Sequence, residues 1–553
     1  MIKKFLNLKT KTISLAALIL GVSSFLSYAL GALRDNFLAN FLPNKVADVY
    51  WAAFRVPDFI YGILITGGIT AAFLPVFSSY FHENQESSKR LFRDVFNVFF
   101  IALAFLAIVF FFLAPLLVNL TVPGFSIEQK SQTVVLMRIM FLSPIILGLS
   151  AIFSSVLQSL NLFYAFALTS VFYNIGILIG ILVFYPAIGL PGLGFGVILG
   201  ALMHLFIQVI PATKAGFTPK FSLKVREIAG LLKISKLMAP RVVSVAAYQI
   251  NLIITTAIAS TLAAGSIKIF NLSNNLYCVP VGLIGISFAT AVFPALSKSF
   301  ALAQKEKFLE VFSGILSKVI FFILPISALM FILRAQVVRL IYGTQVVGGG
   351  YFGWWETRLT ASSLGVLVVS LFAACLIPLL GRTFFALHNT KTPLKIAIFS
   401  IGLNVALSFL FVWLLKVPGV FQNWTVSFLK LKNLTDVSVL GLSLALSIST
   451  IVQCVLLFWA LKIKLKKSDI LKNKNAFFQM IVFSFIGAVA TYFCLKIIGA
   501  FVPTDKVFGL LVQTTTSAFF GGFVYFTLCY LTGIKESKII WKYLCKAKSA
   551  ILS

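Results

Sequence analysis

Between Leu30 and Tyr80 the chain reads LGALRDNFLANFLPNKVADVYWAAFRVPDFIYGILITGGITAAFLPVFSSY. Arg34, Asp35, Asp48, Arg55 and Asp58 fall within 25 residues of this otherwise apolar stretch. A charge at membrane depth costs roughly 3 kcal/mol or more unless it faces a wet cavity or a partner. These three aspartates are the only acidic residues that the apolar pattern places at or near that depth. Arginine is suited to phosphate, because its planar fork of donors matches phosphate oxygens bidentately. The neighbouring Asp35 would hold or tune Arg34; the alternative is an interfacial pair that snorkels to the outer boundary. Asp48 and Arg55 are two helical turns apart and share one face, with Asp58 one turn further. They read either as a cavity wall or as a salt bridge fastening two spans.

Other chemistry is poorly provided for. The three histidines (His82, His204, His388) are far apart, and no phosphate-binding glycine loop precedes a helix. The six cysteines are scattered without metal-like spacing, so neither a metal site nor a disulfide framework is expected. His204 reads as a packed or pore-facing residue. Arg138 and Arg382 read as snorkelling cations, although each has the chemistry to bind an anionic head group. No cofactor is called for, and the chain reads as a transporter rather than an enzyme. A cavity with isolated arginines and few acids suits a multivalent anion and not a cationic drug.

The elements that position these residues are membrane helices. Hydrophobic residues make up 60% of the chain and charged residues 11%, against about 25% charged in a soluble domain. A span needs roughly 20 apolar residues. That scan gives about 14 spans, near 13–33, 48–80, 95–121, 132–157, 163–186, 189–211, 238–262, 268–297, 309–334, 359–387, 393–415, 437–461, 476–496 and 508–532. With the N-terminus inside, the inner segments hold roughly 29 Lys/Arg and the outer ones roughly 9. The net charge of +31 is therefore explained by topology, with both termini cytoplasmic, and no nucleic-acid partner is expected.

Spans 2 and 8 are interrupted by Pro57, Gly62, Gly67, Gly68 and Pro75, and by Pro280, Gly282, Gly285 and Pro294. Broken helices are tolerated where the freed backbone meets protein or a wet cavity. Weak internal similarity joins Leu157–Asn174 to Leu387–Asn404, and residues 71–81 to 289–300. The offsets of about 220 to 230 residues suggest two related halves, spans 1–6 and 7–12, with spans 13 and 14 appended.

The ordered motifs carry a family resemblance. ALGALRDNFLANFLPNKVADVYWAAFRVPDF and GGITAAFLPVFSSYF, then MAPRVVSVAAYQINLIITTAIAS (238–260), FPALSKSFA and GRTFFALHNTKTPLKIAI (381–398), resemble the MurJ/MviN lipid II flippases of the MOP exporter superfamily. The likeness covers about residues 13–465. It implies an all-α polytopic membrane protein with two six-helix lobes plus two C-terminal helices. The N-lobe would span 13–211, a cytoplasmic linker 212–237 and the C-lobe 238–461. Residues 476–532 would form a groove for a polyprenyl tail, and 533–553 a basic cytoplasmic tail. It further implies alternating access that moves undecaprenyl-pyrophosphate-linked peptidoglycan precursor, lipid II, from the inner to the outer leaflet of a bacterial cytoplasmic membrane. The protein would act as a monomer among membrane lipids.

Arg34, Asp35, Asp48, Arg55, Arg241, Gln249 and Asn251 match the family pattern. Elsewhere the chain departs from it. Two arginines expected in span 2 fall on Tyr61 and Gly62, and its acid falls on Thr66. The Ser-Arg of span 1 falls on Ser27 and Tyr28. The Asp-Arg pair of span 8 falls on Asn274 and Asn275. The acid of span 7 falls on Thr255. The expected substrate contacts are therefore Arg34, Asp35, Asp48, Arg55, Arg241, Asn274 and Asn275, the asparagines donating weaker hydrogen bonds than guanidinium. The alternatives are a flippase for another polyprenyl-pyrophosphate-linked oligosaccharide, or a non-transporting membrane scaffold.

Overall fold

A computed structural model describes residues 13–222, 227–343, 350–432, 434, 436–465, 474–503 and 506–542. Among these residues every regular element is a helix and there is no strand. Among the described residues, ten helices are long and apolar enough to cross a membrane, or eleven if Trp354–Val368 and Leu371–Ala386, bent by 47°, form one span. The expectation of an all-α polytopic membrane protein is met; the count of about 14 spans exceeds what length and composition of the described helices establish.

The chain separates into two compact units. The first comprises residues 1–268 and 345–351, the second 269–344 and 352–553. The first contains α1 (Ile13–Phe41), α2 (Asn44–Ile60), a π-helical stretch Tyr61–Ile69, α3 (Thr70–Glu83), α4 (Gln85–Thr121), α5 (Ile127–Met140) and α6 (Leu142–Ser159). It continues through α7 (Phe163–Ile179), a π-helical turn Gly180–Phe184, α8 (Tyr185–Ile188), α9 (Leu190–Lys214) and α10 (Ile228–Ser260). Helix α11 (Ser266–Pro280) begins at the end of this unit and continues into the second. There follow a π-helical stretch Val281–Ile286, α12 (Ser287–Ala301), α13 (Lys305–Ile341), α14 (Trp354–Val368) and α15 (Leu371–Ala386). The last are α16 (Lys391–Lys416), α17 (Val420–Phe428), α18 (Val439–Lys464), α19 (Lys474–Phe501) and α20 (Val507–Leu531).

The two long π-helical stretches fall in spans 2 and 8, where proline and glycine weaken the ordinary i→i+4 ladder. A second feature also recurs in the two halves. The turns after α6 and α15 both place a non-glycine residue in the left-handed region, Asn161 (φ 58°) and His388 (φ 53°). Each is followed by a backbone bond back to the helix, Leu162 N–H to Leu157 O and Asn389 N–H to Phe384 O, both 2.9 Å. The same cap ends two further helices, at Ala303 (φ 54°) and Lys430 (φ 56°), so it is a general way for helices of this chain to stop.

Packing within the first unit relies on aromatic rings and on small residues. Phe217, in the loop after α9, is fully buried and meets Phe77 at 5.4 Å and Phe92 at 5.7 Å between ring centres. Helices α7 and α9 approach backbone to backbone. A methyl group on Gly176 would overlap the Gly200 backbone, and one on Gly180 the Gly196 backbone. These glycines are spaced by four on both helices, the spacing that lets membrane helices pack closely without a hydrophobic driving force. Gly196→Leu should therefore cost about 3 kcal/mol or more by overpacking, read as a loss of folded protein in the membrane and a lowered Tm in detergent. An unchanged Tm would show that the two helices do not need this contact.

The second unit is joined by buried hydroxyls. Ser273, Ser363 and Ser443 form a chain at 2.8 and 2.6 Å that links α11, α14 and α18. Tyr277 reaches Ser370 at 2.9 Å, and Ser447 reaches Ser370 at 3.2 Å. Such bonds hold membrane helices together where apolar packing alone does not select a partner. Helices α19 and α20 pack on each other and on α13, where the Tyr525 hydroxyl donates to Phe321 O at 2.9 Å.

Candidate functional site: a polar cavity in the first unit

A cavity of about 320 Å³ opens inside the first unit, lined by residues that include Arg34, Asp58, Tyr61, Tyr173, Asn174 and His204. It adjoins a second hollow of about 270 Å³, which shares Tyr61, Leu147, Ser170 and His204 with the first. Arg34 stands in its wall on α1. The guanidinium donates to Asp35 Oδ1 through Nε (2.9 Å) and Nη2 (2.7 Å), and to Asn174 Oδ1 of α7 through Nη1 (3.1 Å). Asn174 in turn donates to Ser27 O and Ser27 Oγ, both 3.3 Å. The Arg34 side chain remains 24% exposed, whereas Asp35 is 6% exposed. A fixed guanidinium with open space in front of it can take an anion without first being unpacked.

Arg55 and Asp48 lie on α2 with separate partners. Arg55 is buried, and its Nε donates to Thr256 Oγ1 of α10 at 2.7 Å. Asp48 is turned to the start of α11, where its Oδ2 accepts from Gly265 N–H (2.6 Å) and its Oδ1 from Lys268 N–H (2.8 Å). Asp58 lines the cavity, and its backbone carbonyl accepts from Gln249 Nε2 at 3.2 Å. Arg241 lies on α10, with its side chain outside the described residues. Asn274 and Asn275 lie half-buried on α11 in the second unit. Of the seven expected contacts, the structure thus brings Arg34 and Asp35 together at the cavity and gives Asp48 and Arg55 helix-to-helix partners.

The departures in span 2 have a local reading. Tyr61 stands in the cavity wall where a longer cation is expected. Gly62 faces Gln249 so closely that any side chain there would displace it. Arg138 is accounted for by Phe111, donating to its carbonyl at 3.1 Å and lying 4.8 Å from the ring centre.

Sequence reasoning missed Lys268, the partners of His204 and the neutral wall residues, although it read His204 itself as packed or pore-facing. Lys268 is fully buried, its Nζ donating to Ala39 O (2.7 Å), Asn44 Oδ1 (3.0 Å) and Tyr351 O (3.3 Å). A lone lysine inside an apolar run was the available signal. His204 belongs to a polar relay at the cavity wall. Its Nδ1 is 2.7 Å from Ser150 Oγ, which accepts from Gln208 Nε2 at 2.6 Å. Gln208 and His204 are one turn apart, a spacing visible in the sequence. Asn174 and Tyr173 carry no charge, so nothing in composition distinguished them.

The family model described as "Lipid II flippase MurJ" matches residues 38–512. A "Probable lipid II flippase MurJ" of Rhizobium tropici is 29% identical over 406 residues, covering 70% of this chain and 74% of that protein. One from Buchnera aphidicola subsp. Schizaphis graminum is 25% identical over 526 residues, covering 93% and 96%. Among solved structures, "Lipid II flippase MurJ, inward closed conformation" shares the fold at a TM-score of 0.70 and 23% identity, covering 96% of this chain and 100% of that one. An inward-facing MATE transporter of the MOP superfamily shares it at 0.62 and 14% identity, covering 82% and 98%. With most of its length matched by one family and the fold that goes with it, the chain belongs to the lipid II flippase MurJ family.

Proposed function

We propose that the chain moves lipid II by alternating access, with Arg34 as the principal contact for the diphosphate. As a MurJ family member it is a lipid II flippase, a multi-pass membrane transporter and not an enzyme. The observation that carries the proposed mechanism is the placement of Arg34, fixed by Asp35 and Asn174 yet open to a cavity walled by Asp58, Tyr61 and His204. An incoming diphosphate competes with the Asp35 carboxylate for the guanidinium fork. When the diphosphate leaves, Asp35 takes the fork back, so the charge is never left bare in a poorly solvated place. Asp48 and Arg55 hold α2 in register behind the cavity. Arg241, Asn274 and Asn275 keep the head-group contacts that the family resemblance implies.

The lobes we propose are 13–211 and 238–461, joined by 212–237 and followed by the groove helices 476–532 and the tail 533–553. The recurrence of a long π-helical stretch in spans 2 and 8 supports this division. The Lys/Arg bias supports cytoplasmic termini in the bacterial inner membrane. We take the working unit to be a monomer, without a nucleic-acid partner.

Complementation of a bacterium depleted of its own MurJ tests this reading. The wild-type chain should restore growth and cell shape. Failure despite verified membrane insertion would point to another polyprenyl-diphosphate-linked oligosaccharide as cargo. Labelling of single cysteines placed at residues 89 and 339 should be inside-only and outside-only, respectively; the reverse pattern overturns the orientation.

A further inference from the structure

A cavity of about 510 Å³ lies in the second unit among α13, α14, α19 and α20, away from the residues discussed above. Three cations line it: Arg339 near the C-terminus of α13, Arg358 in the first turns of α14, and Lys496 near the end of α19. No carboxylate is among its lining residues. Glu356, the nearest acid in sequence, is buried and accepts from the Gly353 N–H at 2.9 Å, capping its own helix. Among the described residues, none of the three cations is ion-paired. Two are steadied by rings that leave their charge intact, Arg358 5.5 Å from the Trp354 ring centre and Lys496 5.8 Å from that of Tyr492. The side-chain oxygen of Gln336, also in the lining, is buried with no hydrogen-bond partner. Its amide can present either end to a guest by a flip.

Three like charges around one hollow repel each other and are kept only if something anionic answers them. The guest must be small, multiply charged and rich in acceptors, which describes a phosphate group. Trp354 of the lining is strongly exposed, and so are Ile497, Phe501 and Phe508 on the two C-terminal helices α19 and α20 that help to wall the cavity. An apolar surface of this kind faces acyl chains, not water, so a lipid can place its phosphate in the hollow while its tail lies outside. The Lys/Arg orientation proposed above puts this end of the helices at the outer face, where basic residues are otherwise sparse. That assignment of side rests on the orientation; the binding chemistry does not.

We propose that this cavity is a binding site for a multiply charged phosphate group, carried either by a lipid head group or by a free anion, and separate from the Arg34 cavity. The test uses the full chain purified in detergent, compared with the triple variant Arg339→Gln, Arg358→Gln, Lys496→Gln. Thermal unfolding is followed with phosphatidic acid, phosphatidylcholine or inorganic pyrophosphate added. Phosphatidic acid should raise the Tm of the wild type, and the triple variant should bind it about tenfold or more weakly. Phosphatidylcholine should do little in either protein. A shift with phosphatidic acid alone identifies a lipid-borne phosphate; a shift with pyrophosphate as well identifies a site that also takes the free anion. A control that neutralises Lys416 and Lys430 should keep the wild-type response. No shift in the wild type, or the same shift in the triple variant, overturns the proposal.

Discussion

Arg34→Gln combined with Asp35→Asn should abolish rescue of a MurJ-depleted bacterium while leaving a normally folded protein in the membrane. The two changes remove a cation and its carboxylate together, so no buried charge is stranded. The amides that replace them can still bond to each other and to Asn174, which receives Arg34 Nη1 at 3.1 Å in the native chain. What the cavity loses is a fixed guanidinium in front of open space. The bound diphosphate then lacks its charged partner, a loss of about 2–5 kcal/mol, which is about 30-fold or more in transport rate. Arg34→Lys should fall between, since lysine keeps the charge and loses the bidentate fork. Flipping in vesicles and Tm in detergent are the two readouts. Full rescue by the double variant would mean that the pair only fastens α1 to α7 and that the diphosphate is held elsewhere.

The region of the cavity was legible because charge is expensive in hydrocarbon, and one 25-residue window holds six charged residues, Lys45 included, in an otherwise apolar stretch. Composition and span length sufficed for the all-helical membrane class, and proline and glycine marked where spans 2 and 8 leave the ordinary helix. Helical spacing did less for individual side chains. It places Asp48 and Arg55 on one face of α2, yet a membrane helix meets different neighbours along that face. Arg55 finds Thr256, and Asp48 finds the backbone of residues 265–268. Neither partner is near in sequence, and no local pattern encodes a contact more than 200 residues away. Neutral contributors stayed invisible for another reason. Asn174, Tyr173 and Ser150 are ordinary residues in ordinary helices until the fold places them beside Arg34 and His204.

Asp48→Ala should lower stability sharply and should do so without touching the cavity. Asp48 is 3% exposed and gives both oxygens to backbone N–H groups, those of Gly265 and Lys268, at the point where α11 begins. The first N–H groups of a helix have no partner within it, and a carboxylate there also meets the positive end of the helix dipole. Here the cap comes from α2, far away in sequence. Removing it strands two buried donors at about 1–3 kcal/mol each, so about 2–6 kcal/mol in all. The same turn is held from its other side by Lys268, whose Nζ bonds to Ala39 O, Asn44 Oδ1 and Tyr351 O. Lys268→Met should therefore be damaging as well, because three acceptors lose their donor. Asp48→Asn keeps one acceptor oxygen and should lose roughly half as much as the alanine. Thermal unfolding and membrane abundance measure the effect, and flipping is expressed per folded molecule. On that measure Asp48→Asn should transport at close to the wild-type rate, in contrast to the Arg34 variants. If Asp48→Ala kept its Tm and lost transport, the carboxylate would act on the substrate or on switching between states, and the cap at residues 265–268 would be incidental.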